Sequence, residues 1–447
     1  MIATDGEPGD GRAAIGKVNR RLLPMLCAMH IVQFLDLTSM AFAALQMNQT
    51  VGLSPTVFGL GGSAFFATYA LCEIPSNMAF ARWGARRWLS RIMLTWGLVT
   101  VATMFVANPR QFIGLRLALG AAQAGFVPAT VIYLGRWYAV DGRAQAMGTF
   151  LAAPAFGGII AGPLAAALLS LNGALALSGW QWLFLIEGSL AIGLAFVVFR
   201  HLPETPNDSS WLSVTEIPRL RLTTDATPRH AGLSDLWAAM KRRTVWKLAA
   251  INFSINASLF AMDLWTPQIL QARGNLSTMQ IGLGTIVPNI AAALGMIGMG
   301  AHADRSREYR WHIVIPVLLA AMGLILAGMA NNVVMLIVAL CLARLCVLSA
   351  GPFWAITTWN LRRTEDAAGV ACVTTVGVLT GVVWPFIVGL ARDATGSFTA
   401  GLLILAAALI GGAILVVTLR LQEPTEELAT SATGSRAAEH TVSTVVS

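Results

Sequence analysis

Charged side chains are scarce in this chain: aspartate, glutamate, lysine and arginine make up only 12% of its 447 residues. Soluble domains carry about 25% charged residues, so this composition excludes a soluble enzyme. Instead, 56% of the residues are hydrophobic, and apolar runs of about 18 residues or more recur along the whole length. We therefore expect a protein that crosses the lipid bilayer many times.

Cysteines and catalytic motifs are also sparse. The five cysteines stand singly in apolar runs, which argues against a disulfide or a metal site. We find no nucleophile–base pair or phosphate-binding loop, so we expect neither enzyme activity nor a cofactor. The net charge of +8 comes from short basic clusters between the apolar runs, an arrangement that sets membrane topology and does not indicate nucleic-acid binding. Residues 1–21 are polar, so no cleavable signal peptide is evident.

Twelve apolar stretches predict an all-α membrane protein with twelve transmembrane helices in two six-helix bundles. We place the first bundle in 1–201, a cytoplasmic linker rich in prolines and mixed charges in 202–243, the second bundle in 244–420 and a disordered cytoplasmic tail in 421–447. The predicted helices lie near 22–46, 57–81, 88–107, 110–136, 144–171, 180–201, 245–272, 278–301, 311–330, 333–359, 367–391 and 397–420.

The arginines and lysines between the helices predict the orientation of the chain. The termini, the linker and alternate loops carry most of these residues, whereas the remaining loops contain only Arg110, Arg273 and Arg392. Because basic segments stay in the cytoplasm, we predict an inner-membrane protein whose two termini and linker are cytoplasmic.

Two basic turns occupy equivalent positions after the second and the eighth helix. They are ARWGARRW (81–88) and GMGAHADRSREYRW (298–311), and their shared placement indicates an internal duplication. With this duplication and the pair Asp304 and Arg305 in the second turn, the sequence resembles the major facilitator superfamily. The first turn contains Arg86 and Arg87 but lacks the acidic residue of that family's motif.

Several stretches are more specifically similar to the anion:cation symporter branch of that superfamily. They are FLDLTSMAFAALQMNQTVGLS (34–54), YALCEIPSNMAFARWGARR (69–87), RLALGAAQAGFVPATVIYLGRWY (116–138), GWQWLFLIEG (179–188) and GPFWAITTW (351–359). The resemblance implies a monomeric secondary transporter in the lipid bilayer that imports a small organic anion together with a proton, or with sodium. The alternatives are a facilitator or exporter of neutral or cationic compounds and, with little support from the short polar segments, a membrane sensor.

Asp36 is a carboxylate inside the first predicted helix, about 21 Å from the start of that helix. A charge at this depth is costly and commonly marks a functional site, so we predict that Asp36 carries a coupled proton. The resembled branch usually has Asp-Arg-x-Asn here, whereas this chain has Leu37 and Ser39 in place of the arginine and the asparagine. The alternative is a structural ion pair with a neighbouring helix.

Arg116 and Gln123 lie on one face of the fourth predicted helix. The resemblance implies that Arg116 either pairs with Asp36 or helps to bind the anion. Gln123 stands where the branch commonly has a glutamate, and because an amide does not titrate, it cannot relay a proton.

Arg344 is an arginine near the middle of the tenth predicted helix, about 18 Å from its start. Its guanidinium group can bind a carboxylate with two hydrogen bonds, which predicts a substrate contact. The equal alternative is a fixed ion pair with Asp263, which we also regard as a proton-coupling candidate. Asp263 precedes Pro267, where we expect a helix break of the kind that lines transport sites.

Further polar, aromatic and charged residues complete the candidate set. We expect His30 to be a packing residue. The further predicted substrate contacts are Gln33, Tyr133, Trp354 and Thr374, and the predicted gating or structural residues are Glu73, Glu187, Arg86, Arg87, Asp304 and Arg305.

Overall fold

The structure, a computed structural model, is helical throughout the part of the chain that it describes, with no strand in that part. Much of the predicted linker 202–243 and all of the predicted tail 421–447 lie outside the described residues. The described residues are 9–138, 140–213, 216–217, 233–274, 276–306, 308–361 and 366–419.

Twelve long helices follow one another at the predicted positions within the described residues, which confirms the predicted fold class. Eleven are long and apolar enough to cross a membrane. The remaining helix, the third, has 19 residues but carries Arg86, Arg87 and Arg91, which lower its hydropathy. We number the helices α1 (Leu23–Val51), α2 (Pro55–Trp83), α3 (Ala85–Thr103), α4 (Pro109–Gly135), α5 (Val140–Leu169), α6 (Gly179–His201), α7 (Arg243–Arg273), α8 (Thr278–Ser306), α9 (Trp311–Met329), α10 (Val333–Asn360), α11 (Asp366–Thr395) and α12 (Thr399–Val417).

Polar side chains begin several of these helices. The side chain of Ser54 accepts a hydrogen bond from a backbone N–H in the first turn of α2, and Pro55 follows it at the first helical position. Asn108 and Asn332 cap α4 and α10 in the same way. Since α4 and α10 hold equivalent places in the two halves of the chain, the shared cap agrees with an internal repeat.

Two helices are interrupted beside candidate site residues. The regular hydrogen bonding of α4 breaks after Gln123, where Gly125 adopts a left-handed conformation with φ of 80°. In α10 a 3₁₀ turn, Leu345–Ser349, directly follows Arg344. By contrast, α7 continues through Pro267, where we expected a break. A proline removes a single backbone hydrogen bond, and helices in membranes tolerate this loss.

Helices α1 to α6 form the first half and α7 to α12 the second half. Within the first half α3 packs on α6, α2 on α4, and α1 on both α5 and α6. Within the second half α7 packs on α11 and α12, and α9 packs on α10 and α12. The halves meet where α2 contacts α11, α5 contacts α8, and α1 contacts α7.

Glycines bring the two halves together at one end of the molecule. A Cβ atom on Gly59 of α2 would lie 2.4 Å from the carbonyl oxygen of Pro385 in α11. A Cβ atom on Gly162 of α5 would lie 2.2 Å from the carbonyl oxygen of Gly282 in α8. These backbones approach so closely that only a residue without a side chain fits, as is common between helices in membranes.

Hydrogen bonds join the halves at the same end. The side-chain amide of Asn48 in α1 donates to Gln268 in α7 over 3.2 Å. The backbone N–H of Thr56 in α2 donates to the carboxylate of Asp393 in α11 over 2.8 Å. We call this end, at which α1 and α7 finish, the closed end, and the opposite end, which contains the arginine-rich turns and the linker, the basic end.

The glycine contact predicts that Gly59→Leu destabilises the protein. The atom in the way is backbone, so the helices must separate or strain, and we expect a loss of about 1–3 kcal/mol. Gly114→Leu is the matched control, because a Cβ atom there meets nothing within 4 Å. Thermal unfolding in detergent measures both variants, and equal unfolding temperatures would contradict the prediction.

Candidate functional site

Two cavities lie between the halves, and the side chain of Phe34 in α1 lines both of them. The first, which we call the arginine cavity, has a volume of about 50 Å³ and lies among α1, α5, α7, α8 and α10. The second, the aromatic cavity, has a volume of about 240 Å³ and lies among α1, α2, α4, α7 and α11. Both sites therefore depend on helices from the two halves.

Polar groups line the arginine cavity around Arg344. One terminal nitrogen of this guanidinium, Nη2, lies 2.5 Å from Oδ1 of Asp263, and Nε donates to Oδ1 of Asn289 over 3.1 Å. The side chains of Arg344 and Asp263 remain 14% and 28% exposed. A guanidinium has five N–H groups, so these two contacts leave donors for a further partner. The other polar residues at the cavity are Thr38, Thr266 and Thr285.

The aromatic cavity is mainly apolar. Its polar residues are His30 and Gln33 of α1 and Gln123 of α4. His30 stacks on Phe150, and its Nδ1 donates a hydrogen bond to the backbone oxygen of that residue. The aromatic rings at this cavity belong to Phe34, Phe65, Phe66, Tyr69 and Phe260. Such a surface suits the apolar or planar part of a small molecule.

Asp36 lies behind the cavities, within the first half, and is only 3% exposed. Its two carboxylate oxygens accept hydrogen bonds of 2.5 Å, one from the hydroxyl of Thr100 in α3 and one from the amide of Gln123 in α4. Gln123 therefore connects Asp36 with the aromatic cavity. Charge on Asp36 is stabilised by hydrogen bonds from neighbouring helices, without a contacting cation.

Arg116 is 4% exposed and does not line either cavity. Its Nε donates to the backbone oxygen of Gly61 over 3.3 Å, and its guanidinium lies 4.9 Å from the ring centre of Phe65. Arg116 and Asp36 attract each other electrostatically, but they do not approach within the 4.0 Å of an ion pair. In this structure the side chain of Arg116 contacts helix α2.

Glu187 of α6 lies in the same buried region as Asp36 and is also 3% exposed. Its carboxyl group forms a short hydrogen bond with the hydroxyl of Ser39 in α1. The same hydroxyl lies 2.7 Å from the backbone oxygen of Leu35. The first half thus contains two buried acidic groups, Asp36 on α1 and Glu187 on α6, and Glu187 contacts α1 at Ser39, one turn after Asp36.

The architecture has counterparts among known proteins. The family model of the Major Facilitator Superfamily matches residues 26–385. The chain belongs to the Major Facilitator Superfamily. This confirms the family prediction made from the sequence. A crystal structure of a bacterial homolog of the human lysosomal transporter Spinster shares this fold, with a TM-score of 0.71 and 17% identity over 92% of this chain and 96% of that one.

Relatives in sequence identify this superfamily member as a membrane transporter and not an enzyme. A protein from Agrobacterium vitis whose name includes the words tartrate transporter is 37% identical over 411 residues, or 91% of this chain and 95% of the relative. A protein from Pseudomonas putida whose name includes the words metabolite transport protein NicT is 35% identical over 415 residues, or 91% and 94% of the two chains.

Three of the transporter's predicted substrate contacts lie outside both cavities, in addition to Arg116. Tyr133 is fully buried near the basic end, where its hydroxyl donates to the backbone oxygen of Pro203 over 2.6 Å. Trp354 packs against Phe353, and the exposed hydroxyl of Thr374 donates to its own helix. The structure brings Gln33, Gln123 and Arg344 to the cavities.

Most of the predicted gating residues of the transporter lie near the basic end. The Nε of Arg86 donates to the backbone oxygen of Leu202 over 2.6 Å, whereas Arg87 and Arg305 are exposed. Glu73 is half-buried in α2. The side chain of Asp304 lies outside the described part of the structure.

Sequence reasoning missed two residues with specific contacts. Asn289 holds Arg344, and its signal was an amide directly after a proline in the apolar run of α8. Glu204, in the linker, accepts hydrogen bonds from the backbone N–H groups of Ala85 and Arg86 at the start of α3. A carboxylate is favourable at a helix N-terminus, but spacing alone did not reveal which helix it would cap.

The ion pair at the arginine cavity predicts energetic coupling between its members. In a double-mutant cycle of Asp263→Asn and Arg344→Gln, we expect a coupling energy of about 0.5–3 kcal/mol, because each single change leaves the other group unpaired. Denaturant unfolding in detergent supplies the four stabilities. Arg86→Gln combined with Asp263→Asn is the control, and it should be additive. Additive effects of Asp263→Asn and Arg344→Gln would show that the pair does not stabilise the fold.

Proposed function

We propose that this transporter imports a small organic anion, a carboxylate, together with protons by alternating access. The observation that carries the proposal is Arg344, a cation with unused hydrogen-bond donors at the wall of a cavity between the halves. Transport of a tartrate-like acid, suggested by the name of one relative, fits this chemistry. The transporter would act as a monomer, with sodium as the alternative coupling ion.

Alternating access requires two bundles that rock around a central site. We assign the bundles to 1–201 and 244–420, joined by the linker 202–243. The basic end would face the cytoplasm, because positive loops are retained there. Contacts such as those between Gly59 and Pro385 would then seal the outer end.

Exchange of partners at Arg344 would couple the proton to the anion. A proton that binds the carboxylate of Asp263 removes its charge and weakens the ion pair with Arg344. The guanidinium group is then available to a substrate carboxylate. Loss of the proton restores the ion pair and expels the anion, so each ligand favours binding of the other. A lower pH outside than inside therefore drives uptake.

The aromatic cavity would accept the uncharged body of the substrate. Its volume of about 240 Å³ exceeds the roughly 150 Å³ of an engineered protein cavity that binds benzene. Phe34 separates this space from Arg344, so a single molecule could reach both cavities by moving one side chain. Gln33 and Gln123 offer amide groups for a second polar substituent. We assign Asp36 to proton coupling within the first half.

A second candidate function is facilitated movement or export of neutral or cationic compounds. The apolar lining of the aromatic cavity favours it, and so does the neutralisation of Arg344 by Asp263. Competition for uptake between aromatic carboxylates and their neutral amides distinguishes the two. Inhibition by the amides alone would favour the second candidate.

Proton coupling predicts accumulation in proteoliposomes. With a more acidic exterior by one pH unit, one proton per monoanion supports an accumulation of up to about tenfold, since each 1.4 kcal/mol corresponds to a factor of ten. A panel of labelled organic acids, with and without a protonophore, measures this. Equal uptake with and without the gradient would remove the proton from the proposal, and a sodium gradient would then be tested.

The proposed anion contact predicts a specific loss in Arg344→Gln. A hydrogen bond to a charged group contributes about 1.5–3 kcal/mol, so we expect the KM for the anion to rise at least about tenfold. Arg344→Lys should recover part of the affinity because the charge remains. Arg110→Gln, which changes an exposed arginine near the closed end, is the matched control. An unchanged KM with a lower unfolding temperature would assign Arg344 to structure only.

A further inference from the structure

A buried group of ionisable residues lies in the first half, outside both cavities. Asp36 in α1, Glu187 in α6 and Arg116 in α4 are each at most 4% exposed. Neither carboxyl group contacts the guanidinium, which instead binds the backbone oxygen of Gly61. The exchange of partners at Arg344 does not use these residues, so their protonation needs a separate account.

The charges of this group do not balance when every member is ionised. Two carboxylates and one guanidinium leave one net negative charge in the low-dielectric interior of the helix bundle. Such a charge is unfavourable inside a membrane unless it is paired or neutralised. One proton shared by Asp36 and Glu187 removes the imbalance, and neighbouring acidic groups commonly hold one proton between them.

The hydrogen bonds favour Glu187 over Asp36 as the group that carries the proton. Asp36 receives two donors, the hydroxyl of Thr100 and the amide of Gln123, as suits an ionised carboxylate. Ser39 has a single hydroxyl hydrogen but lies within hydrogen-bonding distance of two oxygens, on Leu35 and Glu187. If Ser39 donates to the backbone of Leu35, the contact with Glu187 requires a proton on the glutamate. Both contacts are then satisfied.

We propose that Glu187 is a second proton-carrying residue of the transporter, which holds one proton in a buried pair with Asp36 and donates it to a hydrogen bond with Ser39. The proposal rests on the proton coupling inferred above and extends it to the first half. The sequence predicted a gating or structural role for Glu187. In this proposal Glu187 instead exchanges its proton during the transport cycle.

Few other ionisable groups face this pair from the helices packed around it. Arg116 is the nearby cation of α4, and His30 is the titratable neighbour on α1, bonded to the backbone of Phe150. On α3, Arg91 lies over the ring of Trp88, nearer the basic end. Residues 145–169 of α5 contain no ionisable side chain. The charge of the pair therefore responds mainly to its own proton and to Arg116.

Loss of the proton would act on helix α1. Two adjacent negative charges, on α1 and α6, repel each other in a medium of low dielectric. Helix α6 is held against α3, because a Cβ atom on Gly188 would lie 2.7 Å from the backbone oxygen of Gly97. Helix α1 carries Phe34 between the two cavities, so a shift of α1 away from α6 would change both of them.

The test compares Glu187→Gln with the wild-type transporter in proteoliposomes. Glutamine imitates a permanently protonated glutamate, so exchange of labelled for unlabelled substrate should persist. With two protons per anion, accumulation driven by one pH unit can reach about a hundredfold in the wild type, and it should fall to about tenfold in Glu187→Gln, which retains the proton site at Asp263. Ser39→Ala, which keeps both carboxyl groups, should lower accumulation by a smaller factor. Glu216→Gln makes the same chemical change in the linker and is the matched control.

The outcomes separate this inference from the proposed function. A wild-type transporter that shows no gradient-driven accumulation would overturn the coupling itself. Full accumulation by both wild type and Glu187→Gln would overturn the role of Glu187 alone. Infrared spectra provide a readout that does not depend on transport by the variant. They should show a protonated carboxyl band in the wild type at neutral pH that Glu187→Gln lacks, and an identical band in both would contradict the proposal.

Discussion

The strongest constraint on this molecule is the free-energy cost of placing a charge inside a membrane. The ion pair between Arg344 and Asp263 lowers this cost for both side chains. The pair joins α10 to α7 and leaves both side chains partly exposed at a cavity, so its partners can be exchanged. Asn289 orients the guanidinium from a third helix. A cation held in this way has a partner in the absence of substrate, and we propose that it exchanges that partner for the substrate.

The two halves neutralise their buried charges by different means. The second half uses a direct ion pair at the cavity wall, whereas the first half surrounds Asp36 and Glu187 with hydroxyl and amide groups in a sealed interface. An exposed pair suits ligand exchange, and a sealed group suits a change in helix position. Helix α1 takes part in both regions, because it lines the cavities on one side and carries Asp36 on the other.

Much of the fold could be predicted because its causes are local. The length of an apolar run decides whether a helix spans the bilayer, and the family resemblance lay in contiguous stretches of sequence. The candidate site was harder. Gln123 and Arg344 were predicted at the site, and the structure places both at cavities. Tyr133 was predicted with them but is buried near the basic end, since helical spacing does not tell which neighbouring helix a residue meets.

By itself the sequence determined the transmembrane helices, the superfamily and the few ionisable residues that needed partners inside the membrane. Only the tertiary structure decided which residues are those partners. Leu37 leaves Asp36 without an arginine beside it, and the partners come from α3 and α4 as Thr100 and Gln123. Which residues meet depends on how helices that are distant in sequence pack together. The low dielectric inside the membrane then strengthens each of these polar contacts.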